Sequence, residues 1–294
     1  MNKKITELKN SLSSRLDTMT TAQIVELINS EDSKISLVIK ELIPRIILLI
    51  EKIVKNIKNG GRLIYVGSGT SGRLGVLDAS ECPPTFSVSE NLVIGIISGG
   101  KKALYSSIEG AEDDLNLALK DIKKYKINKK DTIIGITTSG TTPYVHQFLK
   151  ESKKIGAFTS IITSNKINKK SYIDKKIEYI VGPEVLTGST RMKAGTATKM
   201  ILNIISTTTM IKLNKVYRNF MVDLKINNKK LTNRAIKIVS EITDLNEQNS
   251  QELIEKANGN VKNAILMYLK NKTYIQSCKI LKKNDGNLRK ALNQ

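Results

Sequence analysis

The sequence predicts an α/β protein: a three-layer αβα sandwich on a five-stranded parallel sheet, with an N-terminal helical arm and a small C-terminal helical bundle. Five short, apolar, β-branched runs recur at even intervals between about residues 61 and 183: RLIYVGS, LVIGIIS, DTIIGITTS, AFTSIITS and IEYIVG. Each is flanked by Gly or Ser and followed by a helical pattern, and near-continuous apolar strands alternating with helices imply a parallel sheet buried on both faces. The segments on either side carry helical periodicity and no strand pattern. The expected division is an arm at 1–55, the sheet domain at 56–220 and a helical domain at 221–294.

The elements follow in order. LDTMTTAQIVELINSED is amphipathic, and Thr20 or Thr21 suits its N-cap. SKISLVIKELIPRIILLIEKIVKNIKNG is a longer amphipathic helix, which Pro44 is expected to bend rather than end. In the first βα unit the strand runs straight into the turn GSGTSG, and a helix leads on to DASECPPTF, where two consecutive prolines are expected to brace Glu81 just past the helix end. After the fifth strand, GSTRMKAGTATKMILNIISTTTMIKL reads as one long, mostly apolar helix that packs across the core or a partner subunit. Beyond about residue 225 the chain is rich in Lys and Asn. ANGNVKNAIL and NDGNLRKAL echo each other there, each joining a Gly-Asn turn to a helix start.

Composition excludes several classes. No apolar run approaches the roughly 20 residues that span a bilayer, and MNKKITELKNSLSS has no apolar core of a secretory signal. Cys82 and Cys278 stand far apart without a CxxC pair, and His146 is the single histidine, so neither a disulfide framework nor a metal site is expected. A reduced, cytoplasmic, metal-free protein is the expectation. The chain carries 48 Lys plus Arg against 27 Asp plus Glu, a net charge of +21. A nucleic-acid surface would cluster those charges and interleave aromatics. Here aromatics are 4% and the lysines are scattered in pieces such as KKYKINKK and NNKK, so no specific nucleic-acid partner is expected. The positive field favours an anionic substrate.

Ligands of such sheets bind beyond the carboxyl ends of the strands. GSGTSG follows the first strand there and TSGTTP the third. Gly67, Gly69 and Gly72 match the spacing of a dinucleotide loop, but the second strand ends in IGIISGG, without the acidic residue that a ribose needs. The first loop instead offers Ser68, Gly69, Thr70 and Ser71, with hydroxyls beside backbone N–H groups at a helix N-terminus. The second offers Ser139, Gly140, Thr141 and Thr142 before Pro143. One such turn only caps a helix; two at equivalent strand ends suit a compact sugar phosphate.

Glu81 and Glu112 are the acidic positions that stand out. Taken alone, each reads as a solvated or capping carboxylate, and Glu112 has Glu109, Asp113 and Asp114 around it. An acid/base pair is the sharper alternative.

VGSGTSGRLGVLDASECPPTF, IEGAEDD, VGPEVLTGSTRMKAGTATKMILN and KVYRNFMVDLK together resemble the N-acetylmuramic acid 6-phosphate etherases, over nearly the whole chain. The resemblance implies the sugar-isomerase (SIS) fold, a cytoplasmic homodimer, no cofactor, and cleavage of the D-lactyl ether of the sugar phosphate. It implies that Glu112 is the base at C2 and Glu81 the acid at the departing lactate oxygen. Arg73, Arg191 and Lys193 are candidate contacts for the lactyl carboxylate or the phosphate. One departure is visible: the family commonly has SGRTPYV, and here Thr141 replaces the Arg.

Two other readings stay open. A sugar-phosphate sensor would use the same loops; a transcriptional one is expected to carry a DNA-binding domain, and only about 55 residues of arm precede the sheet. An aldose–ketose isomerase needs a single base. His146, in PYVHQFLKES, has the site-facing position as one alternative but reads first as a packed surface residue, and Cys82 reads as packing.

Overall fold

A computed structural model describes residues 4–226 and 228–294. Its sheet has five parallel strands in the order β2-β1-β3-β4-β5: β1 (Leu63–Gly67), β2 (Val93–Ile97), β3 (Thr132–Ile136), β4 (Phe158–Thr163) and β5 (Lys175–Glu178). Every residue of β1 and β3 is buried, as their unbroken apolar sequence requires. Ile64, Val66, Ile133 and Ile161 face one core with Val145, Phe148 and Leu149, while alternate residues Leu63, Tyr65, Ile134 and Ile162 are equally buried on the opposite face. The order reverses between β1 and β3. That is the switch point at which such sheets open a crevice for ligands.

The edge strand differs from expectation. Its ladder with β4 covers 175–178, which takes in only the first two residues of IEYIVG, and closes with Tyr179 N–H donating to Thr163 O at 2.9 Å. The apolar residues continue because they pack, not because they pair: Tyr179 is fully buried and its hydroxyl meets Thr198 Oγ1 at 2.7 Å.

Contacts divide the chain into two compact units. The first comprises Met1–Ser80 and Glu90–Ser206, the second Glu81–Ser89 and Thr207–Gln294. In the first, α1 (Thr21–Asp32) starts with a full capping box between Thr20 and Gln23. α2 (Ile35–Lys58) runs through Pro44, which lies on the exposed side of the helix. Its buried stripe, Ile35, Ile39, Leu42, Ile46, Leu49 and Ile53, has the 3–4-residue spacing of one helix face. α4 (Leu115–Lys124) and α5 (Pro143–Lys154) follow the expected pattern.

Two helices depart from it. α3 (Gly69–Phe86) continues through both Pro83 and Pro84. Glu81 therefore sits inside the helix, in a turn that lacks two N–H donors because proline has none, and not on a mount after its end. α6 (Lys193–Lys212) begins five residues later than its sequence pattern, leaving GSTRM in turns. The Glu184 carboxylate fixes that start, accepting from Lys193 N–H at 3.0 Å and Ala194 N–H at 2.9 Å.

The second unit is helical beyond α6: α7 (Lys229–Thr243), α8 (Glu247–Lys256), α9 (Val261–Leu269), α10 (Tyr274–Lys283) and α11 (Leu288–Leu292). Its core surrounds α9, whose Val261, Ala264, Ile265 and Leu266 are buried. The Gly-Asn echo has a physical cause. Gly259 and Gly286 take φ of +75° and +71°, and Asn260 and Asn287 then cap α9 and α11, accepting from Asn263 N–H and Lys290 N–H.

Candidate active site

Both hydroxyl loops meet at the switch point between β1 and β3. After β1 the chain turns straight into α3, whose first backbone N–H groups have no partner within the helix. Gly67 and Gly72 permit the turn: a Cβ on Gly67 would lie 2.7 Å from Gly72 N, and one on Gly72 would lie 2.6 Å from Ile97 Cγ1. Ser98, at the end of β2, donates its backbone N–H to Gly67 O at 3.0 Å and its hydroxyl to Ser68 Oγ at 2.8 Å. Ser68 thus accepts from behind and keeps its own proton for a ligand.

The second loop gathers hydroxyls around the end of β3. Thr137 Oγ1 lies 2.7 Å from Thr142 Oγ1 and 3.3 Å from Ser139 Oγ, which in turn lies 3.1 Å from Thr141 Oγ1. Lys4 Nζ donates to Thr141 Oγ1 at 2.8 Å. Ser71 Oγ and Thr138 Oγ1 approach to 3.5 Å and join the two loops. Such a set of hydroxyls, helix-end N–H groups and an ammonium, without a carboxylate among them, favours a tetrahedral oxyanion.

Gly140 holds the second loop in shape. Its φ is +72°, and a Cβ there would lie 2.5 Å from Ile167 Cγ2 and 2.9 Å from Thr163 Oγ1. Its carbonyl is 2.8 Å from His146 Nε2. A carbonyl only accepts, so Nε2 carries a proton, and Nδ1 lies 3.1 Å from the Tyr172 hydroxyl. Burial raises the Tyr172 pKa, which keeps that hydroxyl protonated.

Glu112 belongs to the same region. Its carbonyl accepts from Tyr144 N–H at 2.9 Å, one of the free donors in the first turn of α5, next to Thr142. Tyr144 is anchored in turn through its hydroxyl, 2.6 Å from Asp121 on α4. The Glu112 side chain is exposed. Of its acidic neighbours only Asp114 serves α4, as its N-cap accepting from Leu117 N–H at 3.0 Å. Glu81 lies in the second unit, exposed on α3, beside the buried Cys82.

The three cationic candidates separate. Arg191 is exposed. Arg73 donates to Leu104 O at 3.1 Å and Ser106 O at 3.2 Å, which ties α3 to the segment after β2. Lys193 is 2% exposed and its ammonium pairs with Glu31. Burial raises the Glu31 pKa, but hydrogen bonds from Lys193 and Lys34 outweigh it and hold the carboxyl below its ordinary value.

Thr137, Thr138, Ser98 and Lys4 escaped the sequence reading as parts of these loops. TTSGTT, with its four hydroxyls around Ser-Gly, already holds the signal for the first two. A further buried carboxyl lies between α3 and α6. Asp78 on α3 accepts from Asn203 Nδ2 at 2.8 Å and Ser206 Oγ at 3.0 Å, and burial pushes its pKa up.

A cleft of about 990 Å³ opens beside the second loop, lined by Ser139, Thr141, His146, Lys4, Lys166 and Lys170 among others. No group of three metal-ligating side chains occurs among the described residues. No helix among them is long and apolar enough to cross a membrane.

Residues 45–153 match the family model of the glucokinase regulatory protein N-terminal SIS domain, and 218–276 that of the C-terminal lid domain of the same protein. An N-acetylmuramic acid 6-phosphate etherase of Geobacillus sp. (strain WCH70) is 47% identical over 290 residues, 98% of each chain. Its counterpart in Clostridium botulinum (strain Eklund 17B / Type B) is 49% identical over 288 residues, 98% of this chain and 96% of that one. A phosphoheptose isomerase from Francisella tularensis shares the fold, with a TM-score of 0.50 at 14% identity over 66% of this chain and all of its own.

Proposed function

The chain belongs to the N-acetylmuramic acid 6-phosphate etherase family, and from that premise we propose that it cleaves the D-lactyl ether of N-acetylmuramic acid 6-phosphate. Water is consumed, and N-acetylglucosamine 6-phosphate and D-lactate are released, a step of amino-sugar recycling. The observation that carries this reading is identity of nearly half the residues across essentially the full chain.

The proposed chemistry is an elimination followed by hydration. In the open-chain sugar the C1 aldehyde acidifies the proton on C2, and the ether oxygen on C3 is β to the resulting carbanion. Glu112 removes that proton, the C3–O bond breaks, and Glu81 delivers a proton to the departing lactate oxygen. Water then adds across the C2–C3 double bond. Ser68, Gly69, Thr70 and Ser71 of the first loop and Ser139, Gly140, Thr141 and Thr142 of the second hold the 6-phosphate. The approach of Ser71 to Thr138 supports a single phosphate between the loops. Arg191 is exposed and open to the lactyl carboxylate, while the burial of Lys193 against Glu31 favours a structural task for it.

On this reading the enzyme is cytoplasmic and homodimeric and needs no metal or nucleotide. Leu37, Ile43, Ile47 and Leu48, which leave an apolar stripe of α2 exposed, support the dimer. The matches to a regulatory protein's domains favour one alternative, a module that binds the sugar phosphate without cleaving it. The deciding experiment incubates purified protein with N-acetylmuramic acid 6-phosphate and assays D-lactate. Stoichiometric lactate and N-acetylglucosamine 6-phosphate are expected; tight binding without lactate would establish the binding module instead.

A further inference from the structure

We propose that Lys4 is a ligand of the substrate's phosphate: the N-terminal segment straps across the end of β4 and sets the Lys4 ammonium on the second hydroxyl loop. This rests on reading that loop as a phosphate site. The ammonium carries three protons, and Thr141 Oγ1, at 2.8 Å, takes one. The other two are available toward the cleft that Lys4 lines together with Ser139 and Thr141.

The contact is not that of a loose tail. Asn165, just past β4 and 3% exposed, accepts from Ile5 N–H at 2.7 Å. Its amide donates to Thr6 Oγ1 at 3.1 Å and to Thr138 O at 2.9 Å. One buried side chain therefore holds both the residues that follow Lys4 and the backbone of the loop that Lys4 touches. Thr6 is itself 2% exposed, and Asn10, 8% exposed, continues the anchor by donating to Glu31 Oε2 at 3.0 Å. Buried amides of this kind are costly unless all their partners stay in place, so the strap has a defined position.

The chemistry points to an anion. The cleft lining includes three ammonium groups, Lys4, Lys166 and Lys170, and no carboxylate. Lys4 is the one that meets the loop hydroxyls, through Thr141 Oγ1. Thr137, Ser139 and Thr142 converge on the same loop, and several donors around one point suit a phosphate better than the planar lactyl carboxylate.

The test compares the full-length protein with Lys4→Gln and Lys4→Arg. KM for N-acetylmuramic acid 6-phosphate is measured by lactate release, with inorganic phosphate and D-lactate as competitors. Lys4→Gln is expected to raise KM and to weaken inhibition by phosphate about tenfold or more, the scale of a lost charge-assisted hydrogen bond. Little change is expected in kcat or in inhibition by D-lactate, and Lys4→Arg should restore most of the affinity. Asn165→Leu should reproduce the KM effect by releasing the strap. KM and phosphate inhibition within twofold of wild type in Lys4→Gln would overturn the proposal. So would selective loss of D-lactate inhibition, which would assign the cation to the carboxylate. Should wild type release no lactate, the etherase reading fails and calorimetry with inorganic phosphate still decides: weaker binding in Lys4→Gln upholds the strap, equal binding removes it.

Discussion

Gly140→Ala puts one methyl group where the second loop has least room. At φ of +72° an alanine costs about 1–2 kcal/mol from its own backbone. Its Cβ would lie 2.5 Å from Ile167 Cγ2 and 2.9 Å from Thr163 Oγ1. Ile167 can turn away, but Thr163 Oγ1 accepts from Asn165 N–H at 3.2 Å and donates to Thr138 O at 3.3 Å, so it cannot retreat without moving both neighbours. Overpacking of this kind costs about 1–3 kcal/mol, which brings the total to about 2–5 kcal/mol. Part of that strain is relieved by shifting Ser139 and Thr141, and each 1.4 kcal/mol of lost phosphate binding is about tenfold in affinity. The expected result is a KM raised about 10–100-fold, with a melting temperature lowered by about 4 °C or more. Gly259→Ala is the control, since its φ is +75° and nothing lies within 4 Å of the added Cβ. It should show the backbone cost alone and leave KM unchanged. If Gly140→Ala melted and turned over like Gly259→Ala, the loop would have slack that the geometry denies, and its role in shaping a phosphate site would fall.

Three further outcomes are expected. Glu112→Gln should lose both lactate release and exchange of the C2 proton with heavy water, whereas Glu81→Gln should release little lactate yet still take deuterium into C2; each defect is about 10²–10⁴-fold, and the opposite pattern would reverse the two roles. Glu31→Gln breaks a buried pair and should cost about 3–5 kcal/mol at neutral pH. The folded Glu31 carboxyl is held below its unfolded value of about 4.3, so its contribution is complete above that pH and is lost as pH falls through the lower folded value. The gap between wild type and variant in chemical denaturation should therefore close only under acid, and a gap independent of pH would refute the pairing. Exhaustive EDTA treatment should leave turnover intact; loss of turnover that a divalent ion restores would end the metal-free reading.

What the sequence made legible was local. The strands of the sheet are nearly continuous apolar runs, so β1 and β3, buried at every residue, were plain. Thr20 or Thr21 suited the first helix's N-cap, and the structure decides for Thr20 with a capping box confined to four residues. Edges and prolines were harder. Tyr179 and Val181 look like a continuing strand because they pack inward, but the last ladder partner, Thr163, sets where pairing stops. Pro83 and Pro84 look like a helix end, yet α3 passes through them, because propensity is a weak rule once packing decides.

The site divides in the same way. Its two hydroxyl loops are contiguous motifs and could be read directly. The groups that aim them are not: Ser98 reaches Ser68 from another strand, His146 reaches back to the Gly140 carbonyl, and Lys4 reaches Thr141 across 137 positions. No spacing rule connects such residues, because the connection exists only once the switch point has brought β1 and β3 together. Each of these partners bonds the back or flank of a loop, while Ser68 keeps its own proton free for the crevice. A loop of glycines and short hydroxyl side chains has little rigidity of its own. The donors arriving from distant segments supply that rigidity, so on the proposed reading the affinity for phosphate depends on residues the motifs do not contain.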